Sequence, residues 1–165
     1  MNNKWNFLKG TYWYVPQEYL PATKMGGNDT EPTLMIDQTV WQITGYKDGY
    51  FWGNCAVLMY QASDSSDEQP SSMRLIGSVT PDGSVQISFM PLNQLGAAMS
   101  TSGWGKMTKQ NDQWVFEMQM ASGTTDLYSH WALMHLTTEG EPSWHKLPGI
   151  DYSVPELLEA AGFEV

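Results

Sequence analysis

The sequence predicts an all-β chain, a single eight-stranded antiparallel up-and-down β-barrel with a short C-terminal helix. Three observations predict it. Runs of β-branched and aromatic residues recur from about residue 10 to about residue 136. Tight polar turns separate them, two of them carrying Asp-Gly. The runs number eight, which suffices to close an antiparallel sheet around room for one small ligand and leaves no exposed edge.

The elements follow in order. "GTYWYVP" (Gly10–Pro16) opens the series and stops at proline. "TLMIDQTVWQIT" (Thr33–Thr44) and "YFWGNCAVLMYQ" (Tyr50–Gln61) flank Gly45–Gly49, whose Asp-Gly supplies the positive φ of a hairpin. "SMRLIGSVT" (Ser72–Thr80) and "SVQISFMP" (Ser84–Pro91) are joined by Pro81-Asp82-Gly83. "STSGWGKMT" (Ser100–Thr108) and "QWVFEMQMA" (Gln113–Ala121) flank a Lys-Gln-Asn-Asp turn, and "DLYSHWALMHL" (Asp126–Leu136) closes the meander. The glycines of "GWG" (Gly103–Gly105) are expected to bend a barrel strand or to let a ligand or neighbouring backbone come close.

Two connections stand out. Gln17–Pro32 is long, carries Tyr19, Leu20 and Met25, and is expected to fold over the barrel mouth as a lid. Ala62–Ser72 is acidic and reads as a solvated tip, because its Asp64, Asp67 and Glu68 lack the spacing and glycine of a calcium loop. "LNQLGAAM" (Leu92–Met99) has short helical character. In the tail, Ser153 and Glu156 form a capping box with Pro155 in the first turn and Gly162 as the stop. Val154, Leu157, Leu158 and Ala161 share one stripe, so this helix is expected to pack on the outside of the sheet. The whole chain, residues 1–165, reads as one domain, with the barrel over about 10–136 and a terminal loop and helix over 137–165.

Composition narrows the function. The net charge of −10 repels phosphate backbones and anionic lipid heads, so neither nucleic acid nor membrane is expected as a partner. The lone Cys55 excludes an internal disulfide framework; with no apolar leader or membrane-span run, a cytoplasmic protein is expected. Charged residues are 16% of the chain and aromatics 13%, with eight Trp and eleven Met, a balance that favours apolar contact over ionic catalysis.

"KGTYWYV", the long first loop, the eight-stranded meander and the terminal helix together resemble the calycin superfamily, which includes lipocalins, fatty-acid-binding proteins and avidin-like barrels. In lipocalins a G-x-W signature places a tryptophan as a plug at the closed end. Gly10 matches the glycine, while Tyr12 stands at the tryptophan position and Trp13 comes one place later. The resemblance therefore implies that either Tyr12 takes the plug role or a bulge restores Trp13. The arginine that stacks on the lipocalin tryptophan has no counterpart in Asp126–Leu136. Bacterial phenolic acid decarboxylases are similar in size and have a calycin-like barrel, but their Tyr/Arg/Glu set does not map onto this chain.

The expected function is binding of a small hydrophobic or aromatic molecule in the barrel, with no cofactor. Tyr12, Trp13, Trp41, Trp52, Asn54, Trp104, His130 and Trp131 are the ligand-binding candidates. The alternative is a cofactor-independent lyase or isomerase acting on a small aromatic or apolar carboxylic acid. It would use His130, Asp37 or Glu117 as acid/base and Arg74, the only arginine, on the substrate carboxylate. Strand parity turns Glu117 outward, and Arg74 as well if the apolar face of its strand looks inward. His130 is either a pocket acid/base or a histidine satisfied by its neighbours. His130 and His135 are five residues apart, hence on opposite faces, so no metal is expected between them. A third class, a homodimer or structural module, would use the aromatics as an outer patch.

Residues Thr33–Thr44 and Tyr50–Cys55 are mixed on both faces. Either the inner wall contacts a ligand or water, or the outer wall is covered by the terminal helix or a second subunit.

Overall fold

A computed structural model describes residues 3–18, 21–61, 69–92, 100–123 and 125–165, and within them the strands close into one antiparallel barrel. The strands are β1 (Thr11–Tyr14), β2 (Pro21–Gly26), β3 (Thr33–Lys47), β4 (Tyr50–Tyr60), β5 (Ser71–Val79), β6 (Ser84–Pro91), β7 (Thr101–Gln110), β8 (Gln113–Gly123) and β9 (Asp126–Thr137). From β3 to β9 each strand pairs with the next, and β1 and β2 share the remaining position between β9 and β3. The barrel is therefore eight-stranded, with its first strand broken in two.

That break corrects the expected lid. Pro21–Gly26 joins the wall, with Thr23 opposite Leu34 on β3 and Ser129 on β9. The open edges of β3 and β9 offer hydrogen-bond partners on both sides, and this outweighs the weak strand propensity of "PATKMG". Tyr19 and Leu20 lie outside the described residues, as do Ala62–Glu68 and Asn93–Met99, with the acidic tip and the short helix expected there.

A single side chain replaces the missing rungs at the break. Gln38, almost fully buried, accepts at Oε1 from the Val15 N–H (3.2 Å) and the Thr39 N–H (3.0 Å). Its Nε2 donates to the Val15 carbonyl (3.0 Å) and the Pro148 carbonyl (2.9 Å). All four hydrogen-bonding positions of the amide are used. Gln38 thus stands in for strand backbone and also ties the C-terminal loop to the wall.

The barrel has two unlike ends. The β3–β4 and β7–β8 hairpins turn at one end through left-handed residues, Asp48 (φ 51°) with Gly49 (φ 93°), and Asn111 (φ 48°) with Asp112 (φ 64°). A 3-10 turn, Asn3–Leu8, lies at this hairpin end, with Trp5 fully buried and its Nε1 donating to the Thr80 carbonyl at 2.9 Å. Inside, Trp13, Trp41, Phe51, Phe89 and Phe116 pack as tilted and edge-to-face rings; Trp13 and Phe116 lie 4.6 Å apart between centroids. The inward positions of β7 include Gly103 and Gly105, where a Cβ would overlap the Met120 sulfur and the Glu117 carbonyl respectively.

Outside β3 and β4, a second apolar cluster forms. Helix α1 is Pro142–His145, and α2 is Val154–Ala160. Val154, Leu157, Leu158, Ala161 and Phe163 cover Val40, Ala56 and Leu58 on the barrel wall. The capping box is present, with Ser153 Oγ accepting from the Glu156 N–H (3.2 Å) and Glu156 Oε2 from the Ser153 N–H (2.8 Å). Gly162 takes φ 85° just past the C-cap.

Gln38→Leu keeps the bulk of this side chain but leaves buried backbone groups of Val15 and Thr39 without this partner and releases the half-buried Pro148 carbonyl. We expect it to destabilise the fold by about 3 kcal/mol, read from urea denaturation midpoints. Ser153→Ala, which removes only the helix cap, should cost about 1 kcal/mol in the same assay.

Candidate ligand cavity

The ring cluster fills the barrel only part of the way. Beyond Trp41 and Phe89, toward the end where β2 finishes and β5 begins, a cavity of about 560 Å³ remains. Five methionines, Met35, Met59, Met73, Met120 and Met134, line it with Val15, Val57 and Ala132. Polar groups are fewer and include Asp37, Thr39, Thr101, Ser122, Tyr128 and His130. A mostly apolar concavity of this size with a few polar groups is the usual form of a small-molecule site.

Asp37 and His130 form its polar focus. Both border the break in the first strand: β1 pairs Tyr14 with Val40 and His135, and β2 resumes opposite Ile36 and Ser129. Across this stretch His130 Nδ1 lies 3.4 Å from Asp37 Oδ2. The two are close enough for charge interaction but are not aligned as a hydrogen bond, so the buried Nδ1 has no hydrogen-bond partner among the described residues. The Asp37 side chain is 2% exposed and that of His130 13%. Thr39 Oγ1 donates to Asp37 Oδ1 at 2.9 Å.

Burial pushes the Asp37 carboxyl above its ordinary range, against the opposing pull of His130 and the Thr39 hydroxyl. The Cys55 thiol, also on the cavity wall, is pushed well up by burial and by the neighbouring Asp37 charge. It is therefore a weak nucleophile. At the rim, Lys24 Nζ lies 3.2 Å from Asp126 Oδ2 and 5.9 Å from the Tyr128 ring centroid.

The other candidates are placed as follows. Trp41 is on the cavity floor. Trp13 is inward but belongs to the packed half, with Nε1 donating to Thr11 Oγ1 at 2.8 Å. No bulge is needed in β1, since Thr11, Trp13 and Val15 turn inward by simple alternation. Tyr12 faces out, edge-on to Trp144 at 4.8 Å, and is corrected from a plug to part of the outer cluster.

Trp52, Trp104 and Trp131 are also corrected, because they stand on the outer surface at 44%, 55% and 50% exposure. Each alternates with an inward neighbour: Phe51 and Gly53, Gly103 and Gly105, His130 and Ala132. Asn54 is outward as well, its Nδ2 donating to Gln42 Oε1 at 2.6 Å and its Oδ1 accepting from Arg74. Arg74 lies over the Phe163 ring, 5.8 Å from its centroid, and Glu117 is exposed. Neither reaches the cavity. His135 is on the outer face beside Tyr14, and its burial lowers its affinity for a proton.

Thr39, Tyr128, Thr101, Ser122 and the methionines were missed. Shared parity with Trp41 would have found Thr39, and parity with His130 would have found Tyr128. Among the described residues no three metal-ligating side chains cluster, and no helix is long and apolar enough to cross a membrane. No protein-family model, curated protein or solved structure matches this chain.

Asp37→Asn keeps the shape but removes the ionisation. Because the fold raises this carboxyl above its ordinary 3.8, its stabilising contribution is complete below that value and lost as pH rises through the folded pKa. The stability of Asp37→Asn relative to the parent protein should therefore climb from about pH 4 upward, as measured by urea midpoints at successive pH values.

Proposed function

We propose that this protein is a calycin-like barrel that binds a small, largely apolar or aromatic molecule in the cavity above its ring cluster, without a cofactor. One observation carries the reading. The same wall that is packed solid at the hairpin end keeps about 560 Å³ open at the other, with a buried carboxyl and an imidazole set into an otherwise apolar lining. Core side chains normally close a space of that size, because unfilled apolar volume costs stability. Trp41 and Phe89 offer a flat floor for a ring or chain, and the methionine thioethers adapt to its outline.

The acid/base reading uses the same pair. Asp37 and His130 face the space a substrate would occupy, which supports proton transfer in principle. Arg74 and Glu117, which were to hold the substrate carboxylate and share the acid/base role, lie on the outside of the wall. A lyase or isomerase acting on a carboxylic acid therefore lacks its expected clamp, and binding is the better-supported function.

Thr101 is half-buried, lines the cavity and pairs with Ser122 across β7 and β8. Thr101→Trp should fill the space and weaken binding of an apolar fluorescent probe by about tenfold or more, with the melting transition retained. Trp104→Ala, on the outer face, should leave probe affinity unchanged. Equal probe affinity in the parent protein and Thr101→Trp would refute the cavity as the binding site, and conversion of a bound compound would favour the enzyme.

A further inference from the structure

The cavity has a chemical polarity beyond its apolar lining. Asp37 Oδ1 is engaged by Thr39, whereas Oδ2 has no hydrogen bond among the described residues. The adjacent His130 Nδ1 is likewise without one. Two polar atoms thus stand 3.4 Å apart with a shared need for a third partner.

Two cations of this part of the barrel, Arg74 and Lys24, are committed elsewhere. Arg74, the sole arginine, is held by Asn54 outside the barrel, and Lys24 is paired with Asp126 at the rim. A buried carboxylate without a full counter-charge is costly, and a cation brought to it recovers much of that cost. A second carboxylate there would add repulsion instead. The chain's charge of −10 also draws cations toward it from solution.

We propose that the molecule held in this cavity carries a basic nitrogen, an amine whose N–H groups meet Asp37 Oδ2 and the neighbouring His130 Nδ1 while its apolar body rests on Trp41 and Phe89. This ligand class rests on the cavity reading above. Asp37 is the recognition residue, Thr39 positions its carboxyl, and His130 supplies the second contact. Carboxylic acids are disfavoured by the same groups that welcome the amine.

The test uses the full chain and a matched series on one skeleton: naphthylethylamine, ethylnaphthalene, naphthylpropionic acid and the trimethylammonium analogue of the amine. Isothermal titration calorimetry should show the amine binding about tenfold or more tighter than the hydrocarbon, with the acid weakest. The trimethylammonium compound, which keeps the charge but has no N–H donor, should fall well below the amine. Asp37→Asn should lower the amine to the level of the hydrocarbon and leave the hydrocarbon itself unchanged.

Equal binding of amine, hydrocarbon and acid, a preference for the acid, or an amine preference that survives Asp37→Asn would each overturn the assignment while leaving the cavity as a binding site. Binding by none of the four would overturn the cavity reading and this proposal together. If Asp37→Asn does not fold, the comparison of the amine with its trimethylammonium analogue on the parent protein decides, since equal affinity would remove the role of the N–H groups.

Discussion

The barrel depends on how its broken first strand is bridged. A closed sheet requires every position to be paired on both sides, and here one position is filled by two short strands with a gap between them. The Gln38 amide takes up the chain where β1 ends, with four hydrogen bonds to backbone groups of Val15, Thr39 and Pro148. Without it, the N–H and carbonyl of Val15 at the end of β1 would be buried unpaired, a cost comparable to a sizeable part of a domain's net stability. The link to Pro148 also couples barrel closure to the terminal segment, whose Leu147 and Ile150 join the cluster over Val40 and Ala56.

The same gap shapes the interior. Where no strand intervenes, the inward side chains of β3 and β9 face each other directly, and Asp37 meets His130. Below it, β1 supplies Trp13 and the barrel fills with rings. The transition from packed half to hollow half therefore follows the chain's path. Trp41 stands at the boundary, contacting Phe116 on one side and the cavity on the other.

The architecture was legible because its signals are local. Hairpin turns need left-handed residues, and Asp48-Gly49 is visible in the sequence; a capping box is defined within four positions, and Ser153 with Glu156 is visible too. The second part of the first strand was not legible, since Pro21–Gly26 owes its conformation to the edges of β3 and β9 and little to its own residues. The Asp37–His130 encounter was hidden for the same reason. The two are separated by most of the barrel in sequence, and their approach follows from a break that cannot be inferred without the lid segment being placed in the wall.

Choosing site residues by chemical type misled where strand parity would have guided. His130 and Trp131 are consecutive and so cannot both face one cavity from a regular strand; Trp52 and Asn54 alternate with the inward Phe51 and Cys55. Mixed composition on both faces of β3 and β4 had offered two explanations, and the covered outer wall is the one seen in the structure. The outer face carries Val40, Ala56 and Leu58 because α2 and its neighbouring loop cover them. The inner face carries Asp37 and Thr39 within an apolar lining. Burial of the carboxyl opposes its ionisation. Thr39 satisfies one oxygen, which lets Asp37 sit there, but the second oxygen remains open to the hollow. A carboxyl whose ionisation the fold opposes at that spot supports the proposed contact with a bound molecule better than it supports a role in holding the wall.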